Sequence, residues 1–121
     1  MLVAFWIVSI ITALAFLGAG VMKIVRRREA LVTSGMSWAG DFASSTVKLI
    51  GAAEVLGALG LVLPPATRIA TALAPTAGLA LAILMIGASA IHVRRHESPI
   101  APIATAVLAL SSAGLGVAVL L

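Results

Sequence analysis

Four long apolar runs constrain this chain more than any other feature. Residues 3–22, VAFWIVSIITALAFLGAGVM, carry no charge, and further runs cover 47–63, 69–91 and 100–121. A bilayer core of about 30 Å is crossed by about 20 helical residues rising 1.5 Å each. The runs are uniformly apolar instead of alternating, and each is too long for a barrel strand. The expected fold is all-α: a four-transmembrane-helix bundle, one membrane domain over 1–121. A short interfacial or re-entrant segment should join helices 1 and 2.

Composition narrows the function classes. Charged residues make up 10% of the chain and hydrophobic residues 62%, whereas a soluble domain carries about 25% charged residues. A soluble globular enzyme is excluded, and so is a disordered chain, which needs low hydrophobicity and high charge. With no cysteine, disulfides, thiolate nucleophiles, Cys-ligated zinc and iron–sulfur clusters are excluded together. A cleaved signal peptide does not fit the first run, whose start has no Lys or Arg and whose apolar core is too long.

The net charge of +4 is explained by membrane topology. Lys23, Arg26, Arg27 and Arg28 lie in the first loop (23–46), Arg94 and Arg95 in the third (92–99), and only Arg68 in the second (64–68). Positive charge is retained on the cytoplasmic side. Loops 23–46 and 92–99 are therefore expected in the cytoplasm of a bacterial inner-membrane protein, with both termini outside. These charges suit anionic lipid headgroups. Nucleic acid is not an expected partner, because no aromatic residues interleave the basic ones.

Within the first loop, IVRRREALV reads as a short helix along the headgroups, and Trp38 suits the interface. A segment dipping back into the bilayer and a plain surface loop both remain open. Pro64 and Pro65 are expected to end the second helix. Pro75 either kinks the third helix or marks its first turn, and Pro99 and Pro102 open the fourth.

Glu54 is the most informative residue. It sits seven residues into its run, about 10 Å below the headgroup edge. A charge there costs roughly 2–3 kcal/mol by insertion scales, so it needs a partner. Gly51, Gly57 and Ala58 share its helix face. Small residues mark close helix approach, so Glu54 should point into the bundle. Lys23, beside Gly20, ends span one; Lys48 opens span two; His92 closes span three. The topology predicts a polar cluster of Lys23, Lys48, Glu54 and His92. Lys48 stands six residues from Glu54 and off its face, which leaves Lys48 to snorkel while Lys23 pairs with Glu54. The cluster reads either as a ligand or proton site or as a structural ion pair.

Other candidates are weaker. His92 and His96 are four apart and would share a face if the third helix ran that far, with Glu97 next. Zinc needs three or four converging ligands, and a bis-histidine haem wants two facing helices, so no metal is expected. Ser112 and Gly116 form a small-xxx-small packing pair in the fourth span, next to Ser111. No glycine-rich nucleotide loop and no base for a nucleophilic serine are present.

At these residues the chain resembles the DoxX-like family of small bacterial integral membrane proteins. The resemblance rests on VKLIGAAEVLGALGLVLP and APTAGLALAILMIGASAIHVRRHE, together with Gly20-x-x-Lys23 in AGVMK. It covers about residues 16 to 97, most specifically Gly51, Glu54, Gly57, Gly60 and Pro64. One position departs: where the family usually has a glycine in its His-x-Arg-Arg-x-Glu turn, this chain has His96. The resemblance implies a four-helix membrane bundle. Some relatives are associated with thiosulfate:quinone oxidoreduction, others with membrane complexes handling oxidative stress, others with assembly of partner membrane proteins.

Three functions follow as expectations. The first is a non-catalytic accessory or assembly subunit of a larger bacterial membrane complex, contacting lipids and other integral membrane proteins or a second copy of itself as a homo-oligomer. No catalytic set is legible, so an enzyme is the less favoured class. The second is a quinone- or lipid-binding component of a redox system, taking its electrons from a partner. No other cofactor is expected. The third, an ion conductor using Glu54, rests on one carboxylate and little room for a pore.

Overall fold

The computed structural model describes residues 1–121. Its elements are α1 (Leu2–Val25), α2 (Arg28–Thr33), a 3-10 turn (Ser37–Asp41), α3 (Ser44–Thr67), α4 (Leu73–Arg94) and α5 (Ile100–Leu120). There are no strands. Helices α1, α3, α4 and α5 are each long and apolar enough to cross a membrane. They form a ring in which each touches its neighbours in sequence and α5 closes onto α1, with α1 on α3 and α4 on α5 the most extensive pairs.

The seams follow from residue spacing. Buried positions in α3 are Val47, Gly51, Glu54, Ala58, Leu61 and Pro65. Their steps alternate four and three, which keeps one stripe on one side of a helix. In α1 the stripe is Phe5, Ser9, Thr12, Phe16, Gly20 and Lys23. The opposite faces carry exposed Leu, Ile and Val, among them Leu14, Leu49, Ile83 and Val107. In water that surface would drive aggregation; in lipid it is the solvated side.

Without a hydrophobic drive between helices in lipid, close backbone approach supplies the packing. A Cβ on Gly57 would lie 2.5 Å from Leu81 Cδ2, and one on Gly78 2.9 Å from the Ala109 carbonyl oxygen. Gly116 lies against Phe5 and Pro75. Ala58 is buried in the central core with Phe16, Leu61, Leu81 and Met85. Ser112 donates or accepts a buried 2.7 Å hydrogen bond with Ser9, tying α5 to α1.

Three boundaries differ from expectation. Pro64 and Pro65 do not end the second span; α3 continues to Thr67. Each proline removes one backbone donor but keeps a helical φ, and the helix stops only at Arg68, which is left-handed at φ 58°. The third span does not begin at 69: residues 68–72 form the connecting turn and α4 starts at Leu73. Pro75 and Pro102 are then third residues of their helices, where backbone N–H groups have no partner within the helix and proline costs little. Finally, α4 ends at Arg94, and His96 adopts a left-handed φ of 59°. The Glu97 and His96 N–H groups bond back to the His92 and Val93 carbonyls, a Schellman closure in which the left-handed position favours glycine. His92 and His96 therefore do not share a helical face.

The first loop folds over one end of the bundle. The helix expected across IVRRREALV is broken, because Arg26 and Arg27 are extended. Leu31 on α2, Ala39 in the 3-10 turn and Val47 on α3 form a small buried cluster beneath it.

Candidate functional site

The site grows from one helix crossing. Gly20 on α1 and Gly51 on α3 touch: a Cβ on either would sit 2.6–2.7 Å from the other's carbonyl oxygen. One turn from each glycine comes a charge, Lys23 after Gly20 and Glu54 after Gly51. Side chains on a helix lean toward its N-terminus. The two helices are antiparallel neighbours, so Lys23 and Glu54 lean toward each other. Lys23 Nζ donates to Glu54 Oε1 at 2.5 Å, with both side chains almost fully buried. Because α3 begins at Ser44, Glu54 lies roughly 15 Å along the helix from its start.

The other two expected members of the cluster do not join the pair. Lys48 turns outward and donates to the Ile24 carbonyl at 2.7 Å. That carbonyl lies at the C-terminal end of α1, where cations are favoured, and six residues of helix turn Lys48 away from Glu54. His92 bonds through Nδ1 to the Ala88 carbonyl at 2.8 Å. A carbonyl only accepts, so Nδ1 carries a proton and donates it to that oxygen. Nevertheless His92 lines the same space as the ion pair.

That space is a cavity of about 560 Å³ between the four long helices, below the folded first loop. Its polar wall is Lys23, Glu54 and His92, with Thr105 on α5; its remaining walls are apolar, including Phe16, Ile50, Leu84, Met85 and Ile91. Met36 and Trp38 reach it from the first loop, and the Lys23 ammonium sits 5.6 Å from the Trp38 ring centroid, a cation–π contact. Several lining residues, Ala15, Ile83, Gly87 and Ala101, are exposed on the outer surface of the bundle. The cavity thus opens sideways, toward the region the acyl chains fill.

The roof is fastened by a polar clasp. Arg95, just after α4, bonds both Asp41 of the 3-10 turn and Glu97, the latter at 2.6 Å. Ser37 donates to Glu97 at 3.2 Å, and Arg28 to the Phe42 carbonyl at 3.0 Å. The Arg95 hydrogen bond holds the Glu97 carboxyl below its ordinary range, partly opposed by desolvation. The same bond, followed by that to Asp41, raises the Arg95 guanidinium further.

Sequence reasoning missed the Ser9–Ser112 bond, the Trp38 roof and the clasp. Ser9 could have been found, because it shares the 5, 9, 12, 16, 20, 23 stripe with Lys23. Trp38 and Asp41 lie in the five-residue 3-10 turn, too short for sequence spacing to define a face.

Comparison with known proteins gives a match to the profile of the DoxX-like family over residues 7–114. No curated protein and no solved structure matches the chain.

Proposed function

Because the chain belongs to the DoxX-like family and is a multi-pass membrane protein, we propose that it binds a polar-headed amphiphile, a quinone or a lipid. It does so as a non-catalytic accessory subunit of a larger bacterial inner-membrane complex. The observation that carries this reading is the cavity: space of this size suits a small ligand, and a buried ion pair in its wall gives a polar head something to bond. Following the positive-inside rule, the folded loop 26–43 and the turn 95–99 face the cytoplasm, the roof lies at the headgroup level, and both ends of the chain face outward.

The test is extraction into native nanodiscs, followed by mass spectrometry of retained small molecules. A quinone or lipid enriched over bulk membrane, and lost in Ala88→Phe, supports the reading. Retained lipid identical to bulk composition in both proteins overturns it.

The accessory role has its own support. Ala104, Val107, Ser111, Gly114 and Ala118 are exposed along one face of α5, and a Cβ on Gly114 would meet nothing within 4 Å. Such a face lets another transmembrane helix approach. The protein should leave native membranes in a complex after mild solubilisation. A monodisperse single chain would refute this role.

A further inference from the structure

Resting on the cavity as a ligand site, we propose that it selects amphiphiles with an uncharged head, one that both accepts and donates hydrogen bonds, and discriminates against anionic heads. This runs against the chain's overall charge of +4, which would favour anions. The charge that matters is local. Lys23 is already neutralised by Glu54 at 2.5 Å, and the arginines lie outside the helices' buried faces or, like Arg95, are engaged in the clasp.

An anionic head arriving at Lys23 meets the Glu54 carboxylate in the same place. It either leaves a buried negative charge in excess or breaks the existing pair, and both are costly in an apolar interior. An uncharged hydroxyl or carbonyl disturbs neither. The ammonium has three donors, of which one goes to Glu54, so a ligand carbonyl or hydroxyl oxygen has a donor to meet. A ligand hydroxyl can donate in turn to the remaining Glu54 lone pairs. The apolar tail leaves through the sideways openings at Ile83 and Gly87 or at Ala15 and Ala101. This chemistry is shared by neutral glycerides and quinols, and the ligand is drawn from the bilayer, not from water.

Trp38 reports occupancy. The chain has two tryptophans, and Trp6 packs on Phe5 near the start of α1. A Trp6→Phe protein in phosphatidylcholine nanodiscs therefore leaves Trp38 as the single emitter. Three probes are titrated: monoolein, decylubiquinol, and oleyl sulfate, whose head stays anionic. At least one uncharged probe should shift Trp38 emission saturably, at a concentration about tenfold or more below that of oleyl sulfate. Comparing monoolein with decylubiquinol distinguishes a glyceride from a quinol source. In Glu54→Gln the ammonium loses its counter-charge, and the preference should reverse toward oleyl sulfate. If oleyl sulfate matches the better uncharged probe in the Trp6→Phe protein, the charge rule is overturned and the cavity reading survives. If no probe moves Trp38 emission saturably, the cavity reading itself is overturned. The comparison in the Trp6→Phe protein decides the matter even if Glu54→Gln does not fold.

Discussion

Replacing Gly20 by alanine tests whether the α1–α3 crossing builds the site. The new Cβ would stand 2.6 Å from the Gly51 carbonyl oxygen, 2.9 Å from Val55 Cγ2 and 3.1 Å from Glu54 Cβ. Ordinary C···O approach is about 3.3–3.6 Å, so the helices must part by roughly 0.7–1 Å. The nearest obstacle is backbone, which cannot rotate aside. Overpacking of this kind costs about 1–3 kcal/mol. The Lys23–Glu54 contact, one turn away at 2.5 Å, must lengthen or follow the shift. Gly18 supplies the control in the same helix: a Cβ there meets nothing within 4 Å, and exchanging helical glycine for alanine gains up to about 1 kcal/mol. The propensity gain is common to both alanines, so the two variants should differ by the overpacking cost alone, about 1–3 kcal/mol. Reversible unfolding in mixed micelles, followed by circular dichroism, measures the difference. Equal stabilities for the two variants would refute the role given to the crossing.

Further perturbations address the charges and the turns. Removing one partner of a buried ion pair leaves the other exposed to an apolar interior, so Glu54→Leu or Lys23→Met alone should cost about 3–5 kcal/mol; the double variant should recover most of that loss in a double-mutant cycle. His96→Gly should stabilise the protein by about 1 kcal/mol, because an L-residue in the left-handed region carries a penalty of that order; thermal unfolding of the variant checks it. Glu97 has its folded pKa lowered by Arg95, so its contribution is present above the ordinary carboxylate value and is lost as pH falls through the folded one. Acidification should loosen the roof and change Trp38 emission, and Arg95→Gln should remove that acid-dependent step.

How far the sequence speaks depends on how local the determinant is. The inward direction of Glu54 was legible because Gly51, Gly57 and Ala58 share its face, and helical geometry alone fixes that. The nearness of Lys23 followed from topology, since consecutive spans are antiparallel neighbours. Lys48 was harder to place, because its partner, the Ile24 carbonyl, is exposed only by where α1 ends. The extension of α3 through Pro64 and Pro65 was not legible: proline weakens a helix locally, and the surrounding bundle outweighs it. The roof was least legible of all, because Arg95 reaches Asp41 across 54 residues and no periodicity links them. His96 is the converse case, where departure from glycine in the turn marks the position that the structure holds left-handed.

Pairing Lys23 with Glu54 has an electrical consequence. A lone charge moved across a membrane at 100 mV gains or loses about 2.3 kcal/mol. Here the two opposite charges lie only 2.5 Å apart, so they sit at nearly equal depth and the field pulls on them in opposite senses. Their contributions cancel almost completely. The pair thus offers the resting potential little net charge to move through its field.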